Sequence, residues 1–392
     1  MSEKKFETIA IRHQMQRSAQ KEHSAPIYAT SSFMFDDAED ARSLFADEKE
    51  GNIYSRYSNP NNDEFIEKLC LLEGAETGMA MASGMAAMFT SMAAFLSSGD
   101  HVVASRSLFG STHQILTKLL PKWGITHSYV DIRDLEGWEK AITSKTKMIF
   151  LETPSNPALD LIDLEYIVGL AKSRGIIVNV DNCFASPYIQ NPIKWGADIV
   201  THSATKFIDG QGRVLGGAVV TSKELFPEIK FMARHTGPAM SPFHGWLLSK
   251  SLETLPVRME KHCDNAMHLA STLEGHPSLQ QVKYPFLKSF PQYELAKKQM
   301  RLGGGIVTFE LKGGIEQGRK FLDALKMISL SANLGDTRTI ATHPASTTHS
   351  KLSEEERLAV GITPGLVRIS VGLEHIDDIL EDINKALEAS AS

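Results

Sequence analysis

The hydrophobic pattern changes character twice along the chain. Over the first sixty residues apolar positions are scattered among polar ones, and the segment closes on a turn-rich stretch, Gly51-Asn52-Ile53-Tyr54-Ser55-Arg56-Tyr57-Ser58-Asn59-Pro60. Such a segment buries little surface of its own, so it is expected to wrap a neighbouring subunit or to close over a site. From about residue 64 to 220, short apolar runs alternate with longer amphipathic ones. The runs at 78–82, 101–104, 148–151, 176–180, 198–200 and 217–220 predict strands. The segments at about 84–97, 111–123, 135–142, 163–174 and 189–195 predict helices. Ser83-Gly84 opens the first of these helices, and Gly175 closes the fourth just before a strand. Continuous apolar strands separated by helix-length segments predict a largely parallel sheet covered on both faces.

After about residue 250 the pattern is α+β. A long helical stretch carries Pro256 near its start, followed by a strand at 305–311, a helix at about 315–326, a strand at 366–371 and a C-terminal helix. The expected organisation is an arm over 1–60 that contacts a neighbouring subunit, an α/β domain over 61–250 and a smaller α+β domain over 251–392.

Composition narrows the function classes. Lysine and arginine total 41 against 47 aspartates and glutamates, a formal net charge of −6, so the basic footprint of a nucleic-acid binder is absent. Three cysteines, Cys70, Cys183 and Cys263, are too few and too far apart for a disulfide framework or a zinc pattern. No metal site is expected. The charged N-terminus is followed by no apolar signal core, and no apolar run approaches the ~20 residues that span a bilayer. The expectation is a cytoplasmic protein with no membrane partner.

In open α/β sheets ligands sit at the carboxyl ends of the strands. There the sequence places Ser83-Gly84-Met85, Asp181 and the run Ser203-Ala204-Thr205-Lys206. This set matches the needs of pyridoxal phosphate. That cofactor takes a lysine amine as a Schiff base, a carboxylate opposite its ring nitrogen, and a helix N-terminus with hydroxyls around its phosphate. Lys206 supplies the amine and Asp181 the carboxylate, while Ser83, Gly84, Met85, Ser203 and Thr205 can supply phosphate donors. Singly, each piece has a plainer reading as a solvated lysine, a strand-end cap or a strand-to-helix turn. Their joint occurrence at strand ends favours the cofactor. Arg368 lies mid-strand, where a lone arginine is costly unless paired; it is either a structural ion pair or a carboxylate binder.

With these residues the chain resembles the pyridoxal-phosphate enzymes of cysteine and methionine metabolism. The motifs are Tyr54-Ser55-Arg56-Tyr57-Ser58-Asn59-Pro60, Ala82-Ser83-Gly84-Met85-Ala86-Ala87, Glu152-Thr153-Pro154-Ser155-Asn156-Pro157, Val180-Asp181-Asn182, Ser203-Ala204-Thr205-Lys206 and His343-Pro344-Ala345-Ser346-Thr347-Thr348-His349. The resemblance implies an α/β, fold type I transferase of the aspartate aminotransferase kind, with a mostly parallel seven-stranded sheet and a smaller C-terminal α+β domain. It implies that Lys206 binds the cofactor and shuttles protons, that Asp181 pairs with the ring nitrogen, and that Asn156 lies near the ring hydroxyl. It also implies that Tyr54 and Arg56 reach the phosphate of a neighbouring subunit, in a homotetramer of site-sharing dimers, and that Arg368 grips the substrate α-carboxylate.

Phe109 stands where many members stack a tyrosine on the ring, so stacking survives while the phenol is lost. Phe109, Cys183, the run 205–213 and the segment Asn333-Leu334-Gly335-Asp336-Thr337-Arg338 resemble most the O-succinylhomoserine sulfhydrylase branch, with Asn333 at the substrate. The expected activity is γ-replacement, turning O-succinylhomoserine and sulfide into homocysteine and succinate for methionine biosynthesis. The alternatives are cystathionine γ-synthase, O-acetylhomoserine sulfhydrylase, methionine γ-lyase and, more remotely, a non-catalytic binding protein on a decayed fold. Cys183, His343 and His349 are expected to be packing residues.

Overall fold

Seven strands make the larger sheet of the protein: β1 Thr77–Met81, β2 His101–Ser105, β3 Thr126–Val130, β4 Thr146–Glu152, β5 Ile177–Asp181, β6 Ile199–His202 and β7 Gly217–Thr221. Their spatial order is β1-β7-β6-β5-β4-β2-β3. Only β7 runs against its neighbours, β1 and β6; the other pairings are parallel. Six carboxyl ends therefore meet along one edge. This computed structural model describes residues 4–347, 350, 353–358 and 360–391.

The strands are covered on both faces, so β2, β6 and β7 are buried at every position. One apolar layer carries Val103, Ile149, Leu151, Val178 and Val180, and the other Val102, Ala104, Met148 and Phe150. Fully burying a Val, Leu or Phe contributes about 2 kcal/mol, which is why continuous apolar runs fold as interior strands.

The helix Gly84–Ala93 starts where Ser83 Oγ accepts the Ala86 N–H at 3.1 Å. The helix Leu164–Lys172 is capped by Asp163, and Gly175 takes a left-handed φ of +65° in the turn to β5. The segment 111–123 is not one α-helix as predicted. It winds as α over Gly110–Gln114, π over Ile115–Leu119 and 3₁₀ over Leu120–Trp123. Pro121 has no N–H to give to the preceding turn, so regular winding cannot continue through it. Likewise 189–195 is two short pieces, Ser186–Ile189 and Pro192–Trp195, broken at the residue before Pro192.

The second sheet has the order β10-β11-β12-β9-β8, with β8 Leu279–Lys283, β9 Ile306–Leu311, β10 Ser329–Leu330, β11 Ile340–Thr342 and β12 Leu366–Ser370. Central β12 pairs antiparallel with β9 and β11, which sets Arg368 opposite Thr308 and Thr342. The long helix Leu255–Leu273 places Pro256 in its first turn, where a missing N–H costs nothing.

The first sixty residues hold two helices, Phe6–Arg12 and Ala38–Phe45, and one bridge between Ser32 and Tyr54. The first helix is docked through Phe6, edge-on to Tyr188 at 5.2 Å. Beyond it, Met34 is 97% exposed, and Ile27, Phe45 and Tyr54 are exposed as well. No helix among the described residues is long and apolar enough to cross a membrane.

Candidate functional site

The carboxyl edge of the larger sheet and the start of β12 bring most of the expected residues together. Lys206 follows β6 and donates from Nζ to Asn333 Oδ1 at 2.6 Å. The Asn333 carbonyl accepts Arg368 Nη2 at 3.1 Å, and Asn156 Oδ1 accepts Arg368 Nη1 at 3.0 Å. One polar chain thus links Lys206, Asn333, Arg368 and Asn156 across the two sheets. Arg368 is 4% exposed and its Nε is buried with no partner. Burial pulls its pKa down to about 10, so it remains a cation at neutral pH. A buried guanidinium with an unused N–H is arranged for an incoming acceptor.

Asp181 ends β5 and is 5% exposed; its Oδ1 accepts the Cys183 N–H at 3.0 Å. Burial pushes this carboxyl up to about 6, while the Cys183 N–H and the charge of His202 hold it lower. A cationic ring nitrogen opposite would restore the carboxylate. Burial also lowers the pKa of Lys206, and the Arg368 charge adds to that, so the amine yields its proton more readily than an exposed lysine.

The helix start at Gly84 lies against Ser203. A Cβ on Gly84 would stand 2.7 Å from Ser203 Oγ, so only glycine permits this approach. Met85 follows Gly84 in the first turn. Ser83 Oγ is engaged as the cap, and Thr205 Oγ1 accepts the Gly216 N–H at 3.0 Å. The Thr205 hydroxyl faces Gly216 O at 3.3 Å, a long contact that an anion can displace. The N-terminal turn of a ten-residue helix, the Ser203 and Thr205 hydroxyls and a glycine cradle fit a phosphate group. Asp181 and Lys206 fit the ring and aldehyde of pyridoxal phosphate. Phe109 opens the short helix after β2 with its ring 39% exposed, as a stacking face requires.

Tyr54 and Arg56 do not join this cluster within the chain. Arg56 donates from Nη1 to the Arg234 carbonyl, and its guanidinium lies 4.7 Å from the Tyr57 ring centre, with Arg234 at 4.0 Å from the same ring. These two cations, Arg234 first, hold the Tyr57 hydroxyl below its ordinary pKa. Arg234 pairs with Asp47 at 3.6 Å, and among the described residues Arg56 has no carboxylate partner.

The Cys183 thiol, pushed up by burial and by Asp181, is 4.0 Å from the Ser203 carbonyl and serves as packing. His343 also packs, bonding Ser346 Oγ and the Pro364 carbonyl, each at 2.8 Å. His349 lies outside the described residues. Among the described residues no group of histidines, cysteines and carboxylates is arranged for a metal.

Three further groups were not expected at the site. Glu152 ends β4 beside Asp181, 2% exposed, and takes the Phe109 N–H at 2.8 Å. Its position at a strand end is the same signal that marked Asp181. Arg258 is buried in a helix and clamps the carbonyls of Phe207 at 2.6 Å and Ile208 at 3.0 Å, which fixes the backbone just after Lys206. His202 meets Glu73 at 3.0 Å in a fully buried pair behind the strand ends. Nothing in the local sequence of Arg258 or Glu73 distinguishes either from a solvated helix residue.

The family model described as Cys/Met metabolism PLP-dependent enzyme matches residues 7–388. An O-succinylhomoserine sulfhydrylase of Pseudomonas aeruginosa is 45% identical over 384 residues, 98% of this chain and 95% of the relative. An L-methionine gamma-lyase of Porphyromonas gingivalis is 46% identical over 369 residues, 93% of this chain and 92% of the relative. In fold, the chain is similar to the crystal structure of a putative O-acetylhomoserine (thiol)-lyase from Campylobacter jejuni, at a TM-score of 0.94 and 36% identity. The match covers 98% of this chain and 99% of that one, and that structure contains N'-pyridoxyl-lysine-5'-monophosphate.

Proposed function

The chain belongs to the Cys/Met metabolism PLP-dependent enzymes, and from that premise we propose that it catalyses γ-replacement on O-succinylhomoserine, with sulfide as nucleophile. The observation that carries this reading is the hydrogen-bonded convergence of Lys206, Asn333, Arg368 and Asn156. When bound, pyridoxal phosphate supplies an electron sink conjugated to the substrate amino group.

The protein supplies binding, orientation and proton transfer. Arg368 grips the α-carboxylate with its free Nε and a neighbouring N–H, held in place by Asn156 and by the Asn333 carbonyl. Lys206 Nζ takes the proton from the substrate Cα, a task suited to an amine whose pKa burial has lowered. Asp181 holds the positive charge of the ring nitrogen. Removal of a second proton, from Cβ, lets the Cγ–O bond break and succinate leave as its anion; the sulfur of hydrogen sulfide bonds to Cγ, protons return to Cβ and Cα, and the one proton shed by the sulfide balances the charge of the departed carboxylate.

Phe109 favours this chemistry over thioether cleavage. Succinate is the anion of an acid with a pKa of roughly 4 and leaves without protonation. A thiolate leaving group gains from a nearby acid, and a phenyl ring provides none. Methionine γ-elimination is the second reading, motivated by the similar identity to the named lyase. Product analysis separates the two. O-succinylhomoserine with sulfide is expected to give homocysteine and succinate faster than methionine gives an α-keto acid, ammonia and a thiol. The reverse ranking would refute the proposal, and a preference for the acetyl ester would move the substrate to O-acetylhomoserine.

By the same reading Tyr54 and Arg56 serve the phosphate of a partner subunit, in site-sharing dimers paired into a tetramer. Support comes from the exposed apolar side chains around that segment and from the lack, among the described residues, of a carboxylate partner for Arg56. Heterodimers of Arg56→Ala and Lys206→Ala chains are expected to recover about half of wild-type activity, and a random mixture about a quarter, since one of the two sites is intact and both losses are confined to the other. Reassembled mixtures that stay inactive would exclude a shared site.

A further inference from the structure

The β4 strand is apolar through Met148, Ile149, Phe150 and Leu151 and then buries a carboxyl group at Glu152. Burying an acid is costly unless its hydrogen bonds repay it. Glu152 Oε2 accepts the Phe109 N–H at 2.8 Å. Phe109 has no capping bond from its own side chain, and its ring is too exposed to anchor the segment by packing. One buried carboxyl therefore holds the segment that carries the stacking ring.

We propose that Glu152 is a positioning residue that sets Phe109 against the cofactor ring. It touches neither cofactor nor substrate and acts through the Phe109 backbone N–H. The inference rests on the cofactor site described above, not on the identity of the homoserine ester. Burial, and then the charge of Asp181, push the Glu152 carboxyl well above the usual range. Glutamine keeps a carbonyl oxygen of the same reach for the Phe109 N–H.

The test is titration of the cofactor-free protein with pyridoxal phosphate, followed by the visible absorption band, with no amino acid present. E152A is expected to raise the dissociation constant about 10-fold, the consequence of leaving the Phe109 N–H unpaired. E152Q is expected to bring it back to within about 3-fold of wild type, since the acceptor to Phe109 is restored. The deciding measurement is the cycle with F109A. If Glu152 acts through Phe109, the double variant E152A/F109A binds no more than about 2-fold worse than F109A alone, because the two losses overlap. Losses that multiply would overturn the proposal, as would E152A binding at wild-type strength. Should E152A not fold, E152D withdraws the same oxygen by one methylene and enters the same cycle, with the same outcomes deciding. Because no substrate is present, a wrong ester assignment leaves these results untouched, and an error in the proposal leaves product analysis untouched.

Discussion

Replacing Lys206 by alanine is expected to lower turnover by about 10⁴-fold or more, since it removes both the covalent anchor and the base at Cα. The folded state should tolerate the change. Lys206 makes one side-chain bond, to Asn333 Oδ1, and its burial already disfavours the charged amine. Losing that bond costs about 1 kcal/mol, and relief from burying the ammonium offsets part of it. Steady-state rates, a thermal melt and borohydride treatment check the three parts together. Wild-type protein should lose its visible band and gain a stable mass adduct on reduction, while the variant should form no adduct. Retained turnover, or an adduct on the variant, would place the reactive amine elsewhere.

The second large effect is expected at Arg368. Lysine keeps the charge but not the planar fork, so Arg368→Lys should raise the KM for the amino-acid substrate about 100-fold, with a smaller fall in kcat. The site explains why the substitution is not conservative. Asn156 Oδ1, the Asn333 carbonyl and Thr342 Oγ1 occupy the two terminal nitrogens from three directions, leaving Nε for the ligand. An ammonium cannot reach all four at once. Initial rates over a range of substrate concentration separate KM from kcat. Cofactor affinity, measured without substrate, should change little. A KM within about 3-fold of wild type would assign the α-carboxylate to another group.

Most of the strands that were legible are buried on both faces, where the pattern is a plain apolar run; the edge strand β1 was legible because its residues are apolar or small. β3, Thr-His-Ser-Tyr-Val, was missed. It lies at the sheet edge, and four of its five residues are partly or fully exposed. β8 and β10 are likewise edge strands with exposed positions, and β11, though buried, is only three residues long, so neither length nor periodicity lifts them above a loop. In the site, Asp181, Lys206 and the Ser83-Gly84 turn were readable because each is a polar break at the end of an apolar strand. Arg368 was readable because a charge in mid-strand needs an explanation.

Chemistry that a short stretch of chain can state by itself was therefore determined by the sequence. This covers a two-sided parallel sheet, polar residues at its strand ends and a helix start suited to phosphate. The tertiary structure alone decided which of these meet. Residues 156, 206, 333 and 368 come from separate elements, and their hydrogen bonds depend on how β12 and its loops pack against the strand ends. The burial of Glu152 and Arg258, and with it their cost and their use, is likewise a property of packing: a carboxyl or guanidinium is solvated in the isolated segment and becomes a structural clamp only when the surrounding core excludes water.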